Sequence, residues 1–136
     1  MVPSINQQKT ISNTYELGRK AEGAVCAFLL ANRYEIVTQN YRKRFGEIDI
    51  VALEQVRGEV VLCFVEVRSA SKQSPYLRFG IGHRKQARLA RAIESYLRSP
   101  VAYKWRSGTA KRFDVAWVIG ENIEYWKNVE LAVHSK

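Results

Sequence analysis

The chain has 136 residues, 46% of them hydrophobic and 26% charged, with 22 Lys and Arg against 13 Asp and Glu and a formal net charge of +9. A chain of this size suits one compact domain with its own core, which excludes a disulfide-stapled miniprotein, and no stretch is long and apolar enough to span a bilayer. The positive excess is the footprint of a protein that meets phosphate backbones, though acidic proteins and ribosomes attract basic chains as well.

The opening segment MVPSINQQKTISNT has neither the basic start nor the apolar core of a secretory signal, so a cytoplasmic location is expected. Residues 1–12 read as a flexible tail and 13–136 as a single domain. From Tyr15 to Ala31 the residues Leu17, Ala21, Ala24, Val25, Phe28 and Leu29 recur at helical spacing, with Asn13 and Glu16 as the predicted N-terminal cap. Glu22 lies beside that stripe, where it can point toward a sheet or stay an exposed helix acid. Tyr34 to Thr38 predicts a short strand, followed by a basic linker, Asn40 to Arg44. Glu47–Leu53 and Val60–Val67, rich in Ile and Val and separated by a turn-like segment, predict a hairpin.

Ser69 to Gly82 carries serines, Pro75, Gly80 and Gly82 without any period and reads as a mobile loop. Arg84–Arg98 is a second predicted helix. Leu89, Ala90, Ile93, Tyr96 and Leu97 form its core stripe, and Arg84, Lys85, Arg88, Arg91 and Arg98 mark its other surfaces. After a connection from Ser99 to Lys111, strands are predicted at Arg112–Ile119 and Ile123–Lys127. The order αβββαββ predicts an α/β protein, a mixed sheet with helices packed on it. Trp105, Trp117, Tyr125 and Trp126 read as core. Cys26 and Cys63 fall in apolar segments with no CxxC or Cys/His cluster, so two buried, reduced thiols are expected.

With Arg57 and Gly58 at the tip of a two-residue hairpin, Ile50 faces Val65, Val51 faces Phe64 and Ala52 faces Cys63, apolar against apolar. The same register sets Asp49 opposite Glu66 and Glu47 opposite Arg68. Directly opposed like charges destabilise a strand pair, so one carboxyl holds a proton or a divalent cation lies between them. Hard oxygen donors suit Mg²⁺ or Mn²⁺. The competing account puts both acids at a solvated sheet edge, with Glu47 and Arg68 as a plain cross-strand ion pair. Against it, the acids interrupt apolar strands in a chain with only two Asp, Asp49 and Asp114.

Gly18, Glu22, Asn40, the GEID run at Gly46–Asp49, FVEVR at Phe64–Arg68, KQARL at Lys85–Leu89 and RFDV at Arg112–Val115 follow one another in an order that resembles the YraN-like bacterial family. That family is similar to the PD-(D/E)XK nuclease superfamily, with a restriction-endonuclease-like core akin to archaeal Holliday-junction resolvases. The resemblance implies a metal-dependent nuclease. Asp49 would match the metal-binding Asp, Glu66 the second acid, Glu22 the helix acid that some branches add, and Arg68 the position usually held by Lys. The departure at Arg68 matters, because Arg stays charged and prefers bidentate partners. Lys72 or Lys85 could supply the missing ammonium, although the simpler place for Lys85 is among the backbone-binding basics. Asp114 reads as a structural partner for a nearby Arg.

The expectation that follows is Mg²⁺-dependent (or Mn²⁺-dependent) hydrolysis of a DNA phosphodiester, with Glu22, Asp49 and Glu66 as metal ligands and Arg68 steadying negative charge. Arg42, Lys43, Arg44, Lys72, Arg78, Arg84, Lys85, Arg88 and Arg91 would hold the backbone. Resolvases that cut two strands also admit a homodimer, for which the sequence identifies no interface. Two rival functions stand beside this one: a nucleic-acid-binding module of the same fold that has lost catalysis, and a protein-interaction factor whose basic surface meets an acidic partner.

Overall fold

The computed structural model describes residues 10–70 and 81–131, with the backbone alone for 10–15 and 70. The elements are α1 (Thr10–Ala31), β1 (Glu35–Lys43), β2 (Gly46–Val56), β3 (Glu59–Ala70), α2 (His83–Leu97), a 3₁₀ helix (Pro100–Trp105), β4 (Ala110–Ile119) and β5 (Asn122–Trp126). The strands form one mixed sheet in the order β1-β2-β3-β4-β5, antiparallel except for the parallel pair β3/β4. This α/β architecture is consistent with a restriction-endonuclease-like core.

The Ile- and Val-rich middle strands are buried on both faces, which is why their apolar runs are nearly continuous rather than alternating. On one face α1 sets Val25 and Leu29 against Ile50, Ala52, Cys63, Val65 and Ala116. On the other, α2 sets Leu89, Ala92 and Tyr96 against Ile48, Val51, Leu62, Phe64, Phe113, Val115 and Trp117. The buried stripe of α2 therefore uses Ala92, with Ala90 only half-buried, and that of α1 narrows to Ala21, Val25 and Leu29 while Leu17 and Ala24 stay exposed. Trp117 is core, whereas Trp126 is exposed. Cys63 is buried and Cys26 half-buried, and both are free thiols.

The β2/β3 hairpin has the expected register from Val56↔Glu59 to Ile50↔Val65. Arg57 (φ 54°) and Gly58 (φ 82°) both take positive φ, as a two-residue turn matched to strand twist requires. Other boundaries differ from expectation. The segment Thr10–Thr14 contains no Gly or Pro, and α1 already begins at Thr10, so Asn13 lies inside the helix instead of capping it. The predicted basic linker Asn40–Arg44 is largely strand, with Tyr41, Arg42 and Lys43 paired to Ile48, Glu47 and Gly46. Part of the expected loop from Ser69, namely 71–80 with Lys72 and Arg78, lies outside the described residues, as does most of the expected tail. Among the described residues, no helix is long and apolar enough to cross a membrane.

Candidate active site

The site grows out of a break in the β2/β3 ladder. Beyond Ile50↔Val65 the two strands part: β3 continues beside β4 from Glu66↔Val115 to Ala70↔Ile119, and the start of β2 stays with β1. In β1 Asn40 adopts a left-handed conformation (φ 56°) between the pairs Gln39↔Ile50 and Tyr41↔Ile48. The strand alternation breaks at the residue facing it, since Ile48 packs on the α2 side and Ile50 on the α1 side. Asp49 is thereby released from the ladder and turns its carboxylate across the fork, where Oδ2 accepts a hydrogen bond from the backbone N–H of Val67 (2.8 Å). Asn tolerates this backbone conformation better than most residues.

Asp49 and Glu66 consequently meet, but not as a ladder pair. The two carboxyl groups act on each other electrostatically, the charge of Asp49 raising Glu66, and Glu66 is only 3% exposed, which rules out a solvated sheet edge. Burial and then the charge of Asp49 push Glu66 up to about 7, against the opposing pull of Lys85 and Arg68. Two like charges taken out of water together favour one proton between the two carboxyls. Burial also raises Asp49, while the Val67 N–H and Lys85 favour its charged form.

Two cations stand over Glu66 Oε2: Lys85 Nζ at 3.2 Å and Arg68 Nη1 at 3.8 Å. Sequence reading placed Lys85 among the phosphate-touching basics; a tertiary contact, unreadable from local pattern, brings it from α2 to the buried acid. Gly46 lets α2 come this close, because a Cβ there would run into the backbone carbonyl of Arg88. A small open cleft lined by Glu47, Lys85, Arg88 and Leu89 adjoins the acids.

Glu22 approaches from α1, half-buried, and is raised by burial and by the charge of Asp49, with Arg42 and a hydrogen bond from Asn40 opposing. Among the described residues, however, no group of three or more His, Cys, Asp or Glu side chains is placed to hold one metal ion. Of the three expected acids, Asp49 and Glu66 lie together and Glu22 is electrostatically linked to Asp49. Glu47 does not face Arg68. It lies opposite Arg42 on β1 and is bonded to it at 3.0 Å, because the ladder to β3 has already ended.

The predicted backbone-binding residues Arg42, Lys43, Arg44, Arg84, Lys85, Arg88 and Arg91 are all exposed. On the sheet face that carries α1, Arg112 grips buried Asp114 through two hydrogen bonds of 2.8 and 2.9 Å, and Tyr125 Oη donates to the same carboxylate at 2.6 Å. That Asp is a structural partner, fully satisfied, as buried charges must be. Sequence reading missed Glu54 in this network, which ties together Tyr34, Arg112 and Lys127.

Residues 21–118, which include the whole fork, match the Uncharacterised protein family UPF0102. The chain belongs to this family. It is the one to which the YraN-like resemblance pointed, and PD-(D/E)XK superfamily membership is consistent with it. A UPF0102 protein of Prosthecochloris aestuarii is 32% identical over 111 residues, 81% of each chain. Another, from Desulfosudis oleivorans, is 36% identical over 115 residues, covering 82% of this chain and 85% of its own. A third, from Chlorobium phaeobacteroides, reaches 40% identity over 86 residues, 61% of this chain and 64% of its own.

Proposed function

We propose that this family member is a divalent-cation-dependent phosphodiester hydrolase of the cytoplasm, a structure-selective nuclease acting on DNA. The observation that carries the reading is the Asp49–Glu66 pair, two carboxyls acting on each other at the fork of a sheet, beneath a basic helix. The resemblance to PD-(D/E)XK nucleases, which runs through the same two acids, agrees with it.

The donor chemistry fits Mg²⁺ or Mn²⁺ as a two-carboxylate site. Mg²⁺ commonly takes one or two protein carboxylates and completes its octahedron with water and substrate phosphate, so no third acid is required. Asp49 and Glu66 would hold the ion, with Glu22 adding negative charge behind Asp49. When bound, such an ion polarises the phosphoryl oxygen and makes a water more acidic.

The protein's own residues supply the rest. Asp49 is fixed in orientation by the Val67 N–H, and a bound cation would favour the charged form of both carboxyls. In the hydrolysis a water oxygen bonds to phosphorus as the bond to the departing sugar oxygen breaks. One water proton is released and the departing oxygen takes one up, giving a phosphomonoester and a hydroxyl. A cation beside the pair, Arg68 or Lys85, would meet the negative charge that grows on the phosphoryl oxygens. Absence of any base-reading motif in the sequence suits recognition of backbone shape.

The test is cleavage of duplex, flap and four-way-junction DNA with and without Mg²⁺. The full chain is expected to cut at least one substrate, and Asp49→Asn to lose about 100-fold or more, the scale of removing one preorganised group from a charged transition state. Undiminished cleavage by Asp49→Asn would eliminate the site. The second reading, a binding module without catalysis, is favoured by Arg68, whose guanidinium lies over the Trp117 ring at 5.5 Å instead of engaging Glu66 closely. Salt-sensitive binding with no cleavage of any substrate would select it.

A further inference from the structure

The buried acid pair is served by two cations held in very different ways. Arg68 lies two residues beyond Glu66 on β3, and its ladder neighbour on β4 is Trp117. The guanidinium rests over that indole ring, a cation–π contact with a buried aromatic that would be lost if Arg68 swung toward a ligand. Its nearest approach to Glu66 is 3.8 Å, too long for a hydrogen bond.

Lys85 is the third residue of α2 and reaches Glu66 from that helix at 3.2 Å, with its side chain still 43% exposed. Its backbone is fixed where it counts. Leu89 and Ala92, one and two turns on, are buried against the sheet, and the carbonyl of Arg88 is seated on Gly46. The ammonium therefore stands between the acid pair and solvent, at the edge of the cleft formed with Glu47, Arg88 and Leu89. A compact ammonium on a flexible stem can turn its three donors from a carboxylate to a phosphoryl oxygen without surrendering a stacked geometry, which a guanidinium lying on an indole cannot.

We propose that Lys85, entering from α2, supplies the ammonium that the strand position at Arg68 does not, contacting the scissile phosphate and its attacking water. The assignment rests on the nuclease reading above. Before substrate and metal arrive, the same ammonium balances the charge of Asp49 and Glu66, so it competes with a divalent cation for those oxygens. It acts by hydrogen bonding and charge and transfers no proton.

Two measurements test it, one of them independent of cleavage. Mn²⁺ alone is titrated calorimetrically into the full chain and into Lys85→Met, Lys85→Gln and Arg68→Met, with circular dichroism confirming that each is folded. Removing a cation in contact with the ligands is expected to tighten Mn²⁺ binding by about tenfold or more, and Arg68→Met to change it by less than about threefold. Binding that first becomes measurable in Lys85→Met counts equally in favour. If neither Lys85 variant binds Mn²⁺ more tightly than the parent, or if Arg68→Met shows the larger gain, the assignment is overturned. Should Lys85→Met fail to fold, Lys85→Gln carries the same comparison.

The second measurement is kcat on whichever DNA the parent cleaves. Lys85→Met is expected to lose about 100-fold and Arg68→Met less than about fivefold, and adding Arg68→Lys to Lys85→Met should recover about tenfold. A loss concentrated in Arg68→Met would overturn the Lys85 assignment and leave the nuclease reading standing. A parent that cleaves nothing defeats the nuclease reading, and the Mn²⁺ titration still judges the charge-balancing role of Lys85.

Discussion

At the scale of single residues, the raised Glu66 carboxyl predicts a stability that depends on pH in an unusual direction. That group is held up at about 7 by burial and by Asp49, above an ordinary value of 4.5. An acid whose folded pKa exceeds its unfolded one binds more protons when folded, so its contribution to stability is complete at low pH and declines as pH rises from about 4.5 to about 7. Glu66→Gln removes the ionisation and keeps an N–H that can donate to Asp49. In chelator-treated protein, the urea-unfolding free energy of Glu66→Gln is expected to match the parent near pH 4.5 and to exceed it by about 2 kcal/mol near pH 8. A parent that gains on the variant over this interval would show that Glu66 does not hold the proton. Asp49 and Glu66 are legible in the sequence because two acids interrupt apolar strands at matching hairpin positions. The role of Asn40 is not, since its left-handed backbone and the release of Asp49 depend on how β1 and β2 pair in three dimensions.

At the scale of elements, the hairpin can be read from its apolar pairing and its Arg57–Gly58 tip, whereas the fork cannot. Local arithmetic carries β2 and β3 onward together past Ile50, whereas their pairing ends there, where β1 turns at Asn40 and the alternation of β2 breaks at Asp49. The strand character of Tyr41–Lys43 is hidden for a related reason: those residues pair along one side only, at the sheet edge, so their polar pattern resembles a linker. The closeness of α2 to β2 is likewise nonlocal and depends on Gly46. Gly46→Ala inserts a methyl against the Arg88 carbonyl, and backbone cannot give way as a side-chain tip can. Thermal and urea unfolding are expected to show a loss of about 1–3 kcal/mol, the usual cost of overpacking. Gly82→Ala is the control, with nothing among the described residues within 4 Å of its Cβ position, and should stay within about 0.5 kcal/mol. Equal effects at the two glycines would mean that α2 is not seated on β2 through this contact.

At the scale of the whole molecule, the net charge of +9 is arranged as well as accumulated. Arg84, Arg88 and Arg91 follow one another at helical spacing on the exposed side of α2, and Arg88 lines the cleft beside the acid pair. Arg42, Lys43 and Arg44 border the β1/β2 turn, next to Gly46, on which α2 rests. Exposed basic side chains of α2 and of the β1/β2 turn thus come from the two segments that meet at Gly46, the surface on which the proposed reading seats a phosphate backbone. Arg106 sits instead at the far end of the sheet, its guanidinium over Tyr103 at 5.1 Å. Each phosphate neutralised by a bound cation releases counterions, so log affinity should fall linearly with log salt, with a slope of about −4 to −5 for some five contacts on duplex DNA. Arg88→Ala and Arg91→Ala should each make that slope shallower by about one while weakening binding to unrelated sequences alike. Arg106→Ala should leave it unchanged. A slope that responds equally to all three substitutions would show that overall charge, not the basic side chains of α2 and the β1/β2 turn, brings the nucleic acid to the surface.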